Sequence, residues 1–203
     1  MDSFDMNEMQ IDVLREIGNI GSGNAATSLS LILQGRINVD VPVVEIANVN
    51  HIAQKLGGPE NQVAGVLVLM KYEIEGLLLF LLEKEAISHL LKVLLKEEVD
   101  DLFNLSEMGQ SVLLEISNIL SGSYTNAISQ ILDFKIGLEA PRIAVDMVGA
   151  VLNYPASIFG TMSDNLILIE GTFNSHNSVF KSNLLIMPTP DSLQKIFAKL
   201  GVI

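Results

Sequence analysis

Two carboxylate–amide pairs, Glu16 with Asn19 and Glu115 with Asn118, are the groups in this sequence whose type and spacing could do chemistry. Each glutamate follows a short polar residue four positions earlier, Asp12 or Ser111, and each pair precedes a glycine, Gly23 or Gly122. An amide cannot serve as a general base, but it can both donate to and accept from one water molecule, and it carries no charge. Those properties suit water attack on a phosphoryl group, whose loose transition state asks for positioning more than for deprotonation. A carboxylate near a phosphoryl group would repel it, so the role assigned to the glutamate is to hold a cationic residue of a partner.

One Glu-x-x-Asn is most simply a solvated helix face. Here it occurs twice, and asparagine is a poor helix-interior residue, so coincidence is a weaker account. A shift of 99 residues, which carries Asn19 onto Asn118, brings a whole segment into register. Glu16 meets Glu115, Ile17 meets Ile116, Gly23 meets Gly122, Ser30 meets Ser129, Ile32-Leu33 meets Ile131-Leu132 and Pro42 meets Pro141. Few intervening residues match, so the shared positions stand out.

Each copy opens on a predicted helix. From Ile11 to Leu33 the apolar residues Leu14, Ile17, Leu29 and Ile32 follow the helical period, although glycines at 18, 21 and 23 each cost about 1 kcal/mol against alanine. The second helix runs near Ser106 to Leu132, with Ser106 as a plain cap. At 100° per residue, positions 12, 16, 19 and 23 fall within roughly 60° of one another, and Leu14, Gly21, Ala25, Ser28 and Ile32 lie opposite. The outward row is therefore Asp12, Glu16, Asn19 and Gly23, with Ser111, Glu115, Asn118 and Gly122 as its twin. A glycine at the end of such a row removes bulk and lets another backbone approach. Strands are expected over Val39–Ile46, Val63–Glu73 and Glu75–Leu82, then over Arg142–Tyr154, Asn165–Phe173 and Val179–Met187. Helices are expected at Lys84–Lys96 and Pro190–Leu200. Asn104-Leu105-Ser106 is the expected seam. The expected fold is α+β with a pseudo-two-fold internal repeat: one domain, residues 1–203, of repeats at about 9–104 and 105–203, with antiparallel sheet and two exposed motif helices.

The bulk composition narrows the classes. At 203 residues and 49% hydrophobic, the chain can bury a sizeable core and is not disordered. Its unbroken apolar run Leu77–Leu82 is far shorter than the roughly 20 residues of a spanning helix, so no membrane partner is expected. The acidic start Met1–Asp5 lacks a secretory pattern, and a cytoplasmic location is expected. Cysteine is absent, which removes disulfides, thiolate metal sites and a thiol nucleophile. Net charge is −12 without a basic cluster, which excludes nucleic acid and fits either a partner with a cationic patch or simple solubility. His51, His89 and His176 lack ligand-type neighbours at helical spacing, so no metal site is expected. Gly18 to Gly23 lacks the lysine of a phosphate loop and reads as small-residue packing. Ser163-Asp164-Asn165 reads as a turn, with an exposed acidic contact as the other possibility.

Asp/Ser-x3-Glu-x2-Asn, followed 23 residues later by proline, resembles the signature of the CheC/CheX/FliY phosphatases of bacterial and archaeal chemotaxis. Here it reads Asp12, Glu16, Asn19, Pro42 and again Ser111, Glu115, Asn118, Pro141, and the resemblance covers essentially the whole chain. It implies hydrolysis of the aspartyl phosphate of the response regulator CheY at two sites. Glu16 and Glu115 would pair with the regulator's lysine, and Asn19 and Asn118 would orient the attacking water. The chain would need no cofactor of its own, because the Mg2+ is carried by the regulator. The deamidase CheD is a further implied partner. The duplication suggests a monomer, and the prolines are expected to fix the chain as it enters a strand. The alternative is a non-catalytic binding module that sequesters phosphorylated CheY or regulates CheD.

Overall fold

The computed structural model describes residues 7–159, 166–175 and 178–201. Its elements repeat in the same order. The first half runs α1 (Glu8–Ile32), β1 (Asn38–Val39), β2 (Val43–Ala47), α2 (Val49–Lys55), β3 (Gln62–Tyr72), β4 (Gly76–Leu82) and α3 (Lys84–Leu95). After a 3-10 turn at Leu102–Asn104, the second half runs α4 (Glu107–Leu132), β5 (Ile136–Leu138), β6 (Arg142–Met147), α5 (Val148–Phe159), β7 (Leu166–Ser175), β8 (Ser178–Pro188) and α6 (Pro190–Lys199).

All eight strands join one antiparallel sheet in the order β1-β7-β8-β4-β3-β5, with β2 also on β7 and β6 also on β3. The order is symmetric about the central β4–β8 pair, where Leu79 faces Leu185 and Phe80 faces Leu184. The outer strands cross between halves. β2 lies on β7, with Val43 opposite Glu170 and Ala47 opposite Leu166. β6 lies on β3, with Leu67 opposite Arg142 and Gln62 opposite Met147. Neither half therefore completes its own sheet.

Helices cover both faces, and this explains why β4 is buried at every residue and reads as an unbroken apolar run. On one face α1, α3, α4 and α6 pack over Val66, Val68, Leu78, Phe80, Leu184 and Ile186. On the other, α2 and α5 set Ile52, Leu56, Val148 and Leu152 against Leu77, Leu79, Leu81 and Leu185. Full burial of a side chain such as Phe80 stabilises by about 1.5–3 kcal/mol, so this sandwich is the principal source of stability.

Two expectations are corrected. The strand expected over Arg142–Tyr154 ends at Met147, and Val148–Phe159 is a helix. The segment is apolar enough for either structure. Tertiary hydrogen bonds select the helix: the amide of Val148 donates to the Asn61 carbonyl (2.8 Å) and that of Gly149 to Pro59 (2.9 Å). Its counterpart α2, 99 residues earlier, was likewise not anticipated; seven residues are too few for a periodic signal. The strand expected over Val39–Ile46 is split by Pro42 into β1 and β2, and Pro141 separates β5 from β6 in the same way. Both prolines stand immediately ahead of a strand, as expected.

Candidate functional site on the paired motif helices

The helices that carry the polar rows begin on well-formed caps. At α1, Asn7 and Gln10 form a reciprocal box, each side chain accepting the other's amide at 2.9 Å. At α4, the Ser106 hydroxyl accepts the Gly109 amide (2.9 Å) and donates to the Glu97 carboxylate (2.9 Å). The Ser106 cap is legible in the sequence and the Asn7 cap is not, because Asn7 precedes the first apolar-periodic residue by a full turn.

The small residues of α1 let other elements come close. A Cβ on Gly21 would lie 2.3 Å from the Tyr124 ring, and one on Gly18 would lie 2.7 Å from the Val44 side chain. The Ser22 and Tyr124 hydroxyls are hydrogen-bonded at 2.9 Å within the α1–α4 seam, and those of Ser28 and Ser123 meet at 3.3 Å. Burial pushes the Tyr124 phenol up to about 12, against the opposing pull of the Ser22 hydrogen bond. Gly18 and Gly21 thus serve close packing against a strand and a helix, as their composition suggested, while Gly23 faces open space.

The seam turns the polar rows outward. Asp12, Glu16, Asn19 and Gly23 are exposed, as are Ser111, Glu115 and Asn118, with Gly122 half-buried. The opposite side faces the core: Leu14, Gly21 and Ala25 are buried, and Ser28 and Ile32 are half-buried. Within the described residues, Glu16, Asn19, Glu115 and Asn118 have no side-chain hydrogen bond or ion pair. Their polar atoms are available to a partner. A Cβ on Gly23 or Gly122 would meet nothing within 4 Å, so the space above each row is open.

Positions 12 and 111 behave differently. Asp12 is bound by Arg15 at 2.7 Å, and the Ser111 hydroxyl donates to the Glu107 carbonyl of its own helix at 2.9 Å. Both side chains are engaged within the chain. Arg15 was not singled out in the sequence, although its i, i+3 spacing from Asp12 was a legible signal. Pro42 and Pro141 lie away from the rows, at strand entries.

The remaining candidates fall outside this arrangement. His51 sits 3.4 Å from Glu45, and His89 stacks on Phe180, where burial lowers its pKa. His176 and Ser163-Asp164-Asn165 lie outside the described residues. Among the described residues no three His, Asp or Glu side chains converge as a metal site. A cleft of about 300 Å³ is lined by Lys55, Glu83, Glu170, Lys181 and Asn183, but Lys55 is paired with Glu45 and Glu170, a structural ion-pair set remote from the rows. Among the described residues no helix is long and apolar enough to cross a membrane.

The chain is similar to known chemotaxis and flagellar proteins. The model of the CheC-like family matches residues 9–46 and 108–145, one segment per repeat, each carrying one polar row and its proline. The CheY-P phosphatase CheC of Bacillus subtilis (strain 168) is 28% identical over 200 residues, which cover 97% of this chain and 96% of that protein. The flagellar motor switch phosphatase FliY of the same organism is 28% identical over 142 residues, 68% of this chain and 36% of that longer protein. The crystal structure of Thermotoga maritima FliY shares the fold, with a TM-score of 0.78, 22% identity and 98% coverage of both chains.

Proposed function

We propose that this chain, each of whose repeats matches the CheC-like family model over one segment, is a chemotaxis phosphatase hydrolysing the aspartyl phosphate of a CheY-type response regulator at two sites. The observation that carries the reading is the duplicated outward row, in which an exposed carboxylate and an exposed amide three residues apart have no partner within the described residues at the same place in both repeats. Glu16 and Glu115 pair with the regulator's lysine, and Asn19 and Asn118 orient the water that attacks phosphorus. The P–O bond to the aspartyl oxygen breaks, inorganic phosphate leaves, and the regulator recovers its carboxylate. The Mg2+ that neutralises the developing charge is held by the regulator.

Asp12 with Arg15, and Ser111 with its helix backbone, support the rows from within the chain, while Gly23 and Gly122 leave room for the regulator's backbone. The chain works in the cytoplasm as a monomeric single domain of two repeats, with CheD as a second partner. Similarity to the Bacillus subtilis phosphatase over nearly the full length of both proteins supports the catalytic reading over a purely sequestering one.

The test is the lifetime of phosphorylated CheY with wild type and with the Asn19→Ala/Asn118→Ala double variant. Loss of the acceleration by at least about 100-fold is expected, in line with the worth of correct positioning. A double variant as active as wild type would exclude the assignment. Tight binding of phosphorylated CheY by wild type with an unchanged phosphate lifetime would select the binding-module alternative.

A further inference from the structure

We propose that Met9 and Met108 are the apolar anchors with which each polar row seats the response regulator, an inference that rests on the phosphatase reading above. Met9 is 61% exposed and Met108 62%. Each is the second residue of its helix and stands seven residues ahead of the site glutamate, so the 99-residue shift carries one onto the other. Seven residues are two turns: the methionine lies about 20° off the glutamate and roughly 10 Å further toward the helix N-terminus, on the same face.

A single exposed methionine is an ordinary surface residue. Other apolar residues shared by the two helices, such as Leu14 with Leu113 and Ile17 with Ile116, are buried and explained by packing, whereas the shared methionines are exposed and are not. Neither methionine belongs to the core, whereas Gln10 and Leu14 beside one, and Gly109 and Leu113 beside the other, are buried. Methionine's flexible, polarizable side chain suits an adaptable contact surface. Along each helix the outward face then runs apolar contact, cation grip, water-orienting amide and clearance. The fitting partner is a phosphorylated regulator with an apolar patch about 10 Å from its lysine, on the side away from the phosphoryl group. Glu8 and Glu107, next to the methionines, give that contact a charged rim.

The test isolates each site. Met9→Gln is measured with Asn118→Ala, and Met108→Gln with Asn19→Ala, following phosphate release from phosphorylated CheY. The expected result is a KM raised about tenfold at retained kcat, recovered by Met9→Leu and Met108→Leu, as for loss of one apolar contact. An unchanged KM in either background would overturn the anchor. Affinity for CheY carrying a beryllofluoride mimic of the phosphoryl group is measured in parallel. If wild type gives no turnover, the catalytic reading fails, yet a tenfold weaker complex for the glutamine variants sustains the anchor. Undiminished affinity overturns it.

Discussion

The two motif helices are alike where they face solvent and unlike where they face each other. Along the outward rows Glu16 and Asn19 recur as Glu115 and Asn118. Along the seam, α1 is small at Gly21 and Ala25, whereas the equivalent α4 positions are Leu120 and Tyr124, both buried. A symmetric dimer of identical chains must present the same residue from both sides of its two-fold axis. Joining the copies in one chain lifts that restriction, and here one helix became narrow while the other fills the space. The same division appears at Gly18, which admits Val44, against Ser117, which is buried with its hydroxyl unpartnered among the described residues.

The rows also differ at their edges, in a way that cancels. Asp12 and Arg15 neutralise each other on α1, and their α4 equivalents, Ser111 and Leu114, are both uncharged. With Glu8 and Glu16 on one helix and Glu107 and Glu115 on the other, the two rows carry the same net charge. The difference at position 12 against 111 is thereby balanced by position 15 against 114.

This comparison can be broken most directly at the amides. Asn19→Ala and Asn118→Ala should each remove about half of the phosphatase activity if the sites act independently. The two remaining activities should also fall alike with added salt, because the rows match in charge. Unequal residual rates would show that the seam asymmetry reaches the outer face. The next largest effect is on stability. Gly21→Ala pushes a methyl into the Tyr124 ring and should cost about 1–3 kcal/mol in denaturant unfolding. Gly122→Ala meets open space and should gain up to about 1 kcal/mol from helix propensity. A gain from Gly21→Ala equal to that from Gly122→Ala would mean that the seam tolerates bulk on α1.

Ser117→Ala removes the unpartnered hydroxyl and should leave stability unchanged or raise it by about 1 kcal/mol, read by the same unfolding curve. A clear loss would reveal a hydrogen bond there. Smallest of all is Arg15→Leu. An exposed pair is worth little, so stability should stay within about 0.5 kcal/mol. The charge released on Asp12 should nevertheless make the α1 site, assayed with Asn118→Ala, more salt-dependent than the α4 site assayed with Asn19→Ala.

The sequence by itself determined the repeat, the two motif helices and the outward rows. Those follow from local periodicity: spacings of three and four place Glu16 by Asn19 whatever the rest of the chain does. It also showed the central strands, since a run such as Leu77–Leu82 between turn residues has few other uses. Tertiary structure alone decided the rest, because the deciding partners are distant in sequence. The Val148–Phe159 helix is selected by carbonyls of Pro59 and Asn61, which no window around residue 148 contains. Crossing of β2 onto β7 and β6 onto β3 depends on register between halves, set by burial on both faces of the sheet. The need for a small residue at Gly21 likewise became visible only with Tyr124 in place.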